Sequence, residues 1–182
     1  MITIGITGHR FILETDLLRA GVFSALKQVD TAFPGEEWQM VSSLAEGADR
    51  LVMDCIWQHR PDTRLIVPLP LEVEDYEQDF PDPDSVKDFR RLLQLADKVL
   101  TPPPASTRNE AYYLAGISML AHSNLVLALW DGETARSRGG TGDIVNIARQ
   151  RELPLAWVHC GNAVSLGENQ GEVSFEGFKN NL

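Results

Sequence analysis

The chain has 182 residues, 43% of them hydrophobic, which is enough for one substantial core and too few for two domains of ordinary size. Its 16 Lys and Arg against 26 Asp and Glu leave a formal net charge of -10. That balance argues against sequence-independent binding to a phosphate backbone and makes nucleic acid a poor candidate partner, although a local basic pocket for one small anion stays open. Met1-Ile2-Thr3-Ile4-Gly5 lacks a basic, apolar leader, and no stretch approaches the roughly 20 apolar residues of a bilayer span. A soluble, cytoplasmic protein with no membrane partner is expected.

In chain order, Ile2 to Ile6 is a short β-branched run ending in a Gly turn, which predicts a buried strand. Leu17, Leu18, Val22, Leu26 and Val29 follow at helical spacing, with Glu14, Thr15 and Asp16 suited to the helix start. Residues 38–44 read as a second strand, and 48–59 as a second helix with Leu51, Val52, Cys55 and Ile56 on its apolar face. A third strand spans 64–69, stopped by Pro68 and Pro70.

From 71 to 83 the chain is acidic, interrupted by Tyr76 and Phe80, and reads as a solvated loop, with a lid over a pocket as the alternative. Helices are predicted over 85–96, 109–121 and 143–151, separated by Pro102-Pro103-Pro104 and by a fourth strand at 125–130. A fifth strand falls at 155–159. The polar, Gly-rich segment 161–182 holds Val173, Phe175 and Phe178, which suit a final edge strand or a partner contact. Cys55 and Cys160 have no metal-type spacing and make no disulfide framework, so free thiols at buried or half-buried positions are expected.

Strands that alternate with helices and read as continuous apolar runs indicate a parallel sheet covered on both faces. The predicted fold is a Rossmann-like, doubly wound α/β domain over 1–160, with about five strands in the order 3-2-1-4-5 and 161–182 as an extension. In such a sheet ligands bind beyond the carboxyl ends of the strands, where successive connections switch faces. Three Gly-containing turns would meet there: Gly5-Ile6-Thr7-Gly8-His9-Arg10, Ala45-Glu46-Gly47-Ala48-Asp49-Arg50 and Gly139-Gly140-Thr141-Gly142-Asp143. Gly lets backbone N–H groups approach an anion, and a following helix offers roughly half a unit of positive charge at its start. Arg10, Arg50, Arg108, Arg136 and Arg138 lie in or near these turns.

These turns, taken with Ser42-Ser43-Leu44 before the second and Trp130-Asp131-Gly132 before the third, resemble the SLOG superfamily over about residues 1–160. That Rossmann-like group includes the DNA-processing proteins of natural transformation and the LONELY GUY phosphoribohydrolases, once called lysine decarboxylase-like. The resemblance implies a pocket for a nucleotide or nucleotide-derived ligand, which some members cleave at the N-glycosidic bond and others are thought to sense in bacterial antiviral systems. It also makes a homodimer or higher homo-oligomer the expected state. Carried over by position, Gly8, His9 and Arg10 form the first ligand loop, Ser42, Ser43, Gly47 and Asp49 the second, and Gly139, Gly140 and Thr141 the phosphate loop, with Asp131, Gly132 and Gly142 beside it.

One departure shifts the reading from cleavage to binding. The phosphoribohydrolases carry a PGGxGTxxE pattern, whereas here Arg138 stands in place of the Pro and Asp143-Ile144-Val145-Asn146 follows the glycines without a Glu. Asp49 and Asp143 are the carboxylates available to an N-glycosidic hydrolase, and each also suits a helix cap. His9 is expected to contact ligand. Arg10 and Arg50 suit bidentate phosphate contacts, with an Arg50–Glu46 pair at helical spacing as the other option, and Arg108 is a further candidate. Tyr112 and Tyr113 read as packing residues. No metal or other cofactor is expected, since His59, His122 and His159 are dispersed. Nucleotide binding or sensing therefore leads, with a nucleoside monophosphate phosphoribohydrolase second and a non-catalytic partner-binding module, using the 72–84 loop, third.

Overall fold

Alternation of Ile2, Ile4 and Ile6 with Thr3 and Thr7 favours an extended strand that packs on both faces. In the computed structural model, which describes residues 1–101, 104–135, 138–162, 165–167 and 169–178, this run is β1 (Ile2–Gly8), the middle strand of the sheet. It pairs in parallel with β2 (Trp38–Val41) and β5 (Leu125–Trp130). β3 (Arg64–Pro68) and the short β4 (Lys98–Leu100) extend the sheet beyond β2, and β6 (Leu155–His159) and β7 (Val173–Glu176) extend it beyond β5.

The described residues thus form a seven-stranded sheet in the order β4-β3-β2-β1-β5-β6-β7. Its inner five strands, β3-β2-β1-β5-β6, have the predicted order; the two edges are additions. β4 was hidden by its length of three residues and by an exposed Lys98 and Val99. β7 runs antiparallel to β6, with Val173 opposite Val158 and Phe175 opposite Ala156, so Val173 and Phe175 take the edge-strand option.

Helices cover both faces. α1 (Asp16–Ala32), begun by the Thr15 hydroxyl accepting the Leu18 N–H at 3.2 Å, and α2 (Ala48–His59) pack with Ile2, Ile4, Ile6, Leu125, Leu127 and Leu129. On the opposite face, α5 (Arg108–Ala121) and α6 (Thr141–Gln150) pack with Val126, Ala128 and Trp130. Cys55 and Cys160 are buried free thiols, and burial pushes Cys160 up to about 12.

The acidic stretch is a built element rather than the solvated loop expected. α3 (Val73–Tyr76) and a 3₁₀ turn at Glu77–Asp79 lead into α4 (Pro83–Gln94), and Tyr76 and Phe80 are 3% and 5% exposed. Four residues apart, the two rings meet at 5.1 Å and both pack on Phe89. Pro102, Pro103 and Arg136 lie outside the described residues, as do 163–164, 168 and 179–182 of the C-terminal segment.

Candidate functional site

The β1–β5 register sets Gly8 beside Leu129, and the His9 N–H continues the ladder to the Leu129 carbonyl at 3.1 Å. His9 and Arg10 leave the sheet from there. His9 Nε2 lies 3.0 Å from Asp131 Oδ1 and 3.2 Å from the Asp131 backbone nitrogen. Nε2 without a hydrogen accepts that N–H and Nε2 with one donates to the carboxylate, so the position of the ring hydrogen selects the partner. The Arg10 guanidinium reaches Glu46 Oε2 at 3.1 Å, donates to the Asp79 carbonyl, and lies 5.2 Å from the centre of the Phe80 ring.

In the second loop the Ser42 hydroxyl donates to Asp49 Oδ2 at 2.7 Å and accepts the Leu44 N–H at 3.0 Å. Asp49, in the first turn of α2, is 6% exposed, and burial pushes its carboxyl up to about 6 against the opposing hydrogen bonds from Ser42, Ala45 and Ser43. Ser43 donates to the Pro68 carbonyl at 2.8 Å and so ties this loop to β3. Gly47 sits at φ 74°, ψ -118°, and a Cβ there would lie 2.2 Å from the Arg10 carbonyl oxygen. The first two loops can touch only because this residue has no side chain.

Arg50 departs from both options the sequence offered. Its guanidinium turns to α4, donating to the Ser85 hydroxyl at 2.9 Å and the Leu44 carbonyl at 3.2 Å, with Asp88 at 3.5 Å, and packs 4.9 Å from the Phe80 ring. Glu46, the partner expected for Arg50, is taken by Arg10 and Ser85. Arg50 thereby braces the start of α2 against α4.

The third loop begins at Asp131, whose Oδ1 accepts the Glu133 N–H at 3.0 Å. Gly139 adopts φ 84°, and a Cβ there would press on the Tyr113 backbone at 2.7 Å. Gly140 caps α6 through its extended backbone, and the first-turn N–H groups of Thr141 and Gly142 have no intrahelical acceptor. Asp143 is not the cap but the third residue of the helix. Its Oδ2 reaches back to the Gly139 N–H at 3.0 Å and braces the turn.

These three loops enclose one cavity of about 600 Å³ at the carboxyl edge of the sheet. Of the residues the sequence singled out, Gly8, His9, Arg10, Ser43 and Asp49 lie on its wall, and so do Asp131 and the run Gly139, Gly140, Thr141 and Gly142. Ser42, Gly47, Arg50, Arg108, Gly132 and Asp143 do not; they hold the loops or face elsewhere. Gly132, at φ 86°, turns the chain against Trp157. Arg108 points to the 3₁₀ turn, binding Asp79 Oδ1 at 3.1 Å.

Sequence reasoning missed the aromatic wall. Phe11, Tyr76 and Tyr112 line the cavity, and the Tyr112 hydroxyl donates to Asp79 Oδ2, whereas Tyr113 packs under the Arg138 guanidinium at 4.2 Å. The available signal was Tyr76 and Phe80 four apart within an acidic run, a spacing that marks a packed face. Among the described residues no group of three or more His, Cys, Asp or Glu could hold a metal ion, and no helix is long and apolar enough to cross a membrane.

A cleft where β1 and β5, adjacent and parallel, send their chains to helices on opposite faces defines the Rossmann-like, doubly wound class of α/β proteins. The X-ray structure of DNA processing protein A (DprA) from Streptococcus pneumoniae has a similar fold, with a TM-score of 0.57 and 14% identity. The similarity covers 100% of this chain and 54% of that one, so the chain spans about half the length of that protein. No protein-family model and no curated protein matches the chain. The fold likeness corrects the reading of nucleic acid as a poor partner. The same architecture occurs in a DNA processing protein, and a whole-chain charge of -10 says nothing of how charge is distributed at one cleft.

Proposed function

We propose that the chain binds a nucleotide or nucleotide-derived small molecule, with a phosphate on the first turn of α6 and the nucleoside against the aromatic wall. The observation that carries this reading is the meeting of two anion-binding elements in one cavity. The Gly140-Thr141-Gly142 helix start and the His9-Arg10 loop both line it. Tyr112 and Phe11 offer aromatic surface for a base, backed by the buried Tyr76, and Asp131 offers an acceptor for hydroxyl or amino groups. The resemblance of the three motifs to the SLOG superfamily and the shared fold with a DNA processing protein support the same class of ligand.

A second reading, hydrolysis of an N-glycosidic bond, is favoured by one feature: Asp49 lines the cavity with its carboxyl pushed up to about 6, where a group can exchange protons near neutrality. Binding leads because the Asp49 oxygens already serve Ser42 and the loop backbone, and Asp143 serves Gly139. Calorimetric titration of the protein with AMP, GMP, ATP and a single-stranded oligonucleotide, followed by chromatography of the recovered ligand, tests both. Intact mononucleotide supports binding, and free base with ribose phosphate supports hydrolysis. Binding of the oligonucleotide alone moves the ligand to a nucleic-acid strand, and no binding removes the proposal.

A further inference from the structure

Tyr76 of α3 stands on the wall of the cavity, and in the 3₁₀ turn that follows it one residue ties this part of the chain to the rest of the site. We infer that Asp79 is the positioning residue of the nucleotide cavity, setting the Tyr112 ring and the Arg10 guanidinium for ligand; this rests on the nucleotide reading above. Asp79 does not itself line the cavity, whereas Arg10, Tyr76 and Tyr112 do. Its Oδ2 accepts the Tyr112 hydroxyl, its Oδ1 accepts Arg108 Nε and Nη2 at 3.3 and 3.1 Å, and its backbone carbonyl accepts Arg10 Nη2. Arg108 also donates to the Asp75 carbonyl in α3 at 2.7 Å, so α5 holds both α3 and the turn.

The carboxylate is 15% exposed, which leaves its bonds little competition from water. Tyr112 has two rotatable side-chain bonds, and a fixed hydroxyl determines where its ring face stands. Arg10, bound by Glu46 Oε2 and by the Asp79 carbonyl, is held on the cavity wall. The turn is also held by the paired Arg90 bonds to Glu77 at 2.6 Å each and by the packing of Tyr76 and Phe80 on Phe89. Of its hydrogen bonds only those of Asp79 reach Tyr112 and Arg10. An aromatic wall free to shift would lose contact with a planar base before the fold was lost.

The test combines Asp79→Ala, Asp79→Asn, Tyr112→Phe and the double variant Asp79→Ala/Tyr112→Phe, read by AMP titration and by hydrogen exchange of the ligand-free proteins. Asp79→Ala should weaken AMP binding about tenfold, the loss of one charge-assisted hydrogen bond. Tyr112→Phe should weaken it to a similar extent, and the double variant should be no weaker than Asp79→Ala, because both changes cut the same link. Asp79→Asn, which keeps an acceptor for the tyrosine hydroxyl, should recover part of the affinity. In the free protein, exchange of the Tyr76 and Phe80 amides should quicken in Asp79→Ala, while protection in β1 and β5 is unchanged. Wild-type AMP binding that survives Asp79→Ala at full strength overturns the inference and leaves the nucleotide reading standing, as do additive losses in the double variant. Wild-type protein that binds no AMP removes both. If Asp79→Ala fails to fold, Tyr112→Phe and Asp79→Asn carry the same comparison, and full affinity in both overturns the role.

Discussion

Alanine at Gly47 should lower the melting temperature far more than alanine at a glycine of similar φ. Gly47 occupies φ 74°, ψ -118°, a region open in practice only to glycine, and entry of a side chain costs about 1–3 kcal/mol. The added Cβ would stand 2.2 Å from the Arg10 carbonyl oxygen and 2.7 Å from that of His9. Both are backbone atoms, so relief requires moving the first loop and giving up the Ala48 N–H bond to the His9 carbonyl at 3.0 Å, worth about 1 kcal/mol net. Together with the residual clash the loss is about 3–5 kcal/mol, or roughly 6–20 °C for a protein of this size.

Gly35 is the control, with φ 75° and nothing within 4 Å of an added methyl, so Gly35→Ala bears the backbone term alone, about 1 kcal/mol and a few degrees. Thermal unfolding of the three proteins by circular dichroism gives both differences. Equal drops for the two variants would refute the contact between the first and second loops.

Arg10→Ala removes a charge-assisted donor from the cavity, so nucleotide affinity by calorimetry should fall ten- to a hundred-fold, about 1.5–3 kcal/mol, and unchanged affinity would misplace the first loop. Asp49 gives a pH dependence of definite sign. Its folded pKa of about 6 stands above the ordinary 3.8, so the native state holds a proton that the unfolded chain has lost, and the stabilisation present below pH 3.8 is lost as pH rises through 6. Urea unfolding of wild type and Asp49→Asn from pH 4 to 7 should show their difference swinging by about 2 kcal/mol in favour of the Asn protein, and a pH-independent difference contradicts the burial of the charge. Arg149→Ala cuts the paired bonds to Glu176 at 2.8 and 2.7 Å that join α6 to β7; at this exposed site the global loss should stay under about 1 kcal/mol, while hydrogen exchange quickens over β7.

Long apolar periodicities were readable in the sequence because burial on both sides leaves no room for polar residues, as in Leu125–Trp130, or because one face is buried, as with Leu51, Val52, Cys55 and Ile56 in α2. Those patterns were enough to place the inner five strands and the sheet edge at which the Gly turns meet. Lys98–Leu100 escaped because three residues, two of them exposed, carry no period. The roles of Arg50 and Arg108 were hidden for another reason: an arginine reaches far from its Cα, and its partners Ser85 and Asp79 are 35 and 29 positions away. Asp143 reads as a helix start but is the third residue of α6, since an extended Gly140 caps the helix without a side chain and lets it begin two residues earlier. Charge counting misled in the 71–83 stretch, where Tyr76 and Phe80 turn an acidic surface inward on one side.

The most direct test of nucleotide binding at the three loops is a titration of ¹⁵N-labelled protein with AMP, followed by amide spectra. Binding as proposed moves the Gly140, Thr141 and Gly142 amides most, with His9 and Arg10 moving in step at the same affinity. Shifts confined to other surfaces, or none at millimolar AMP, would contradict it.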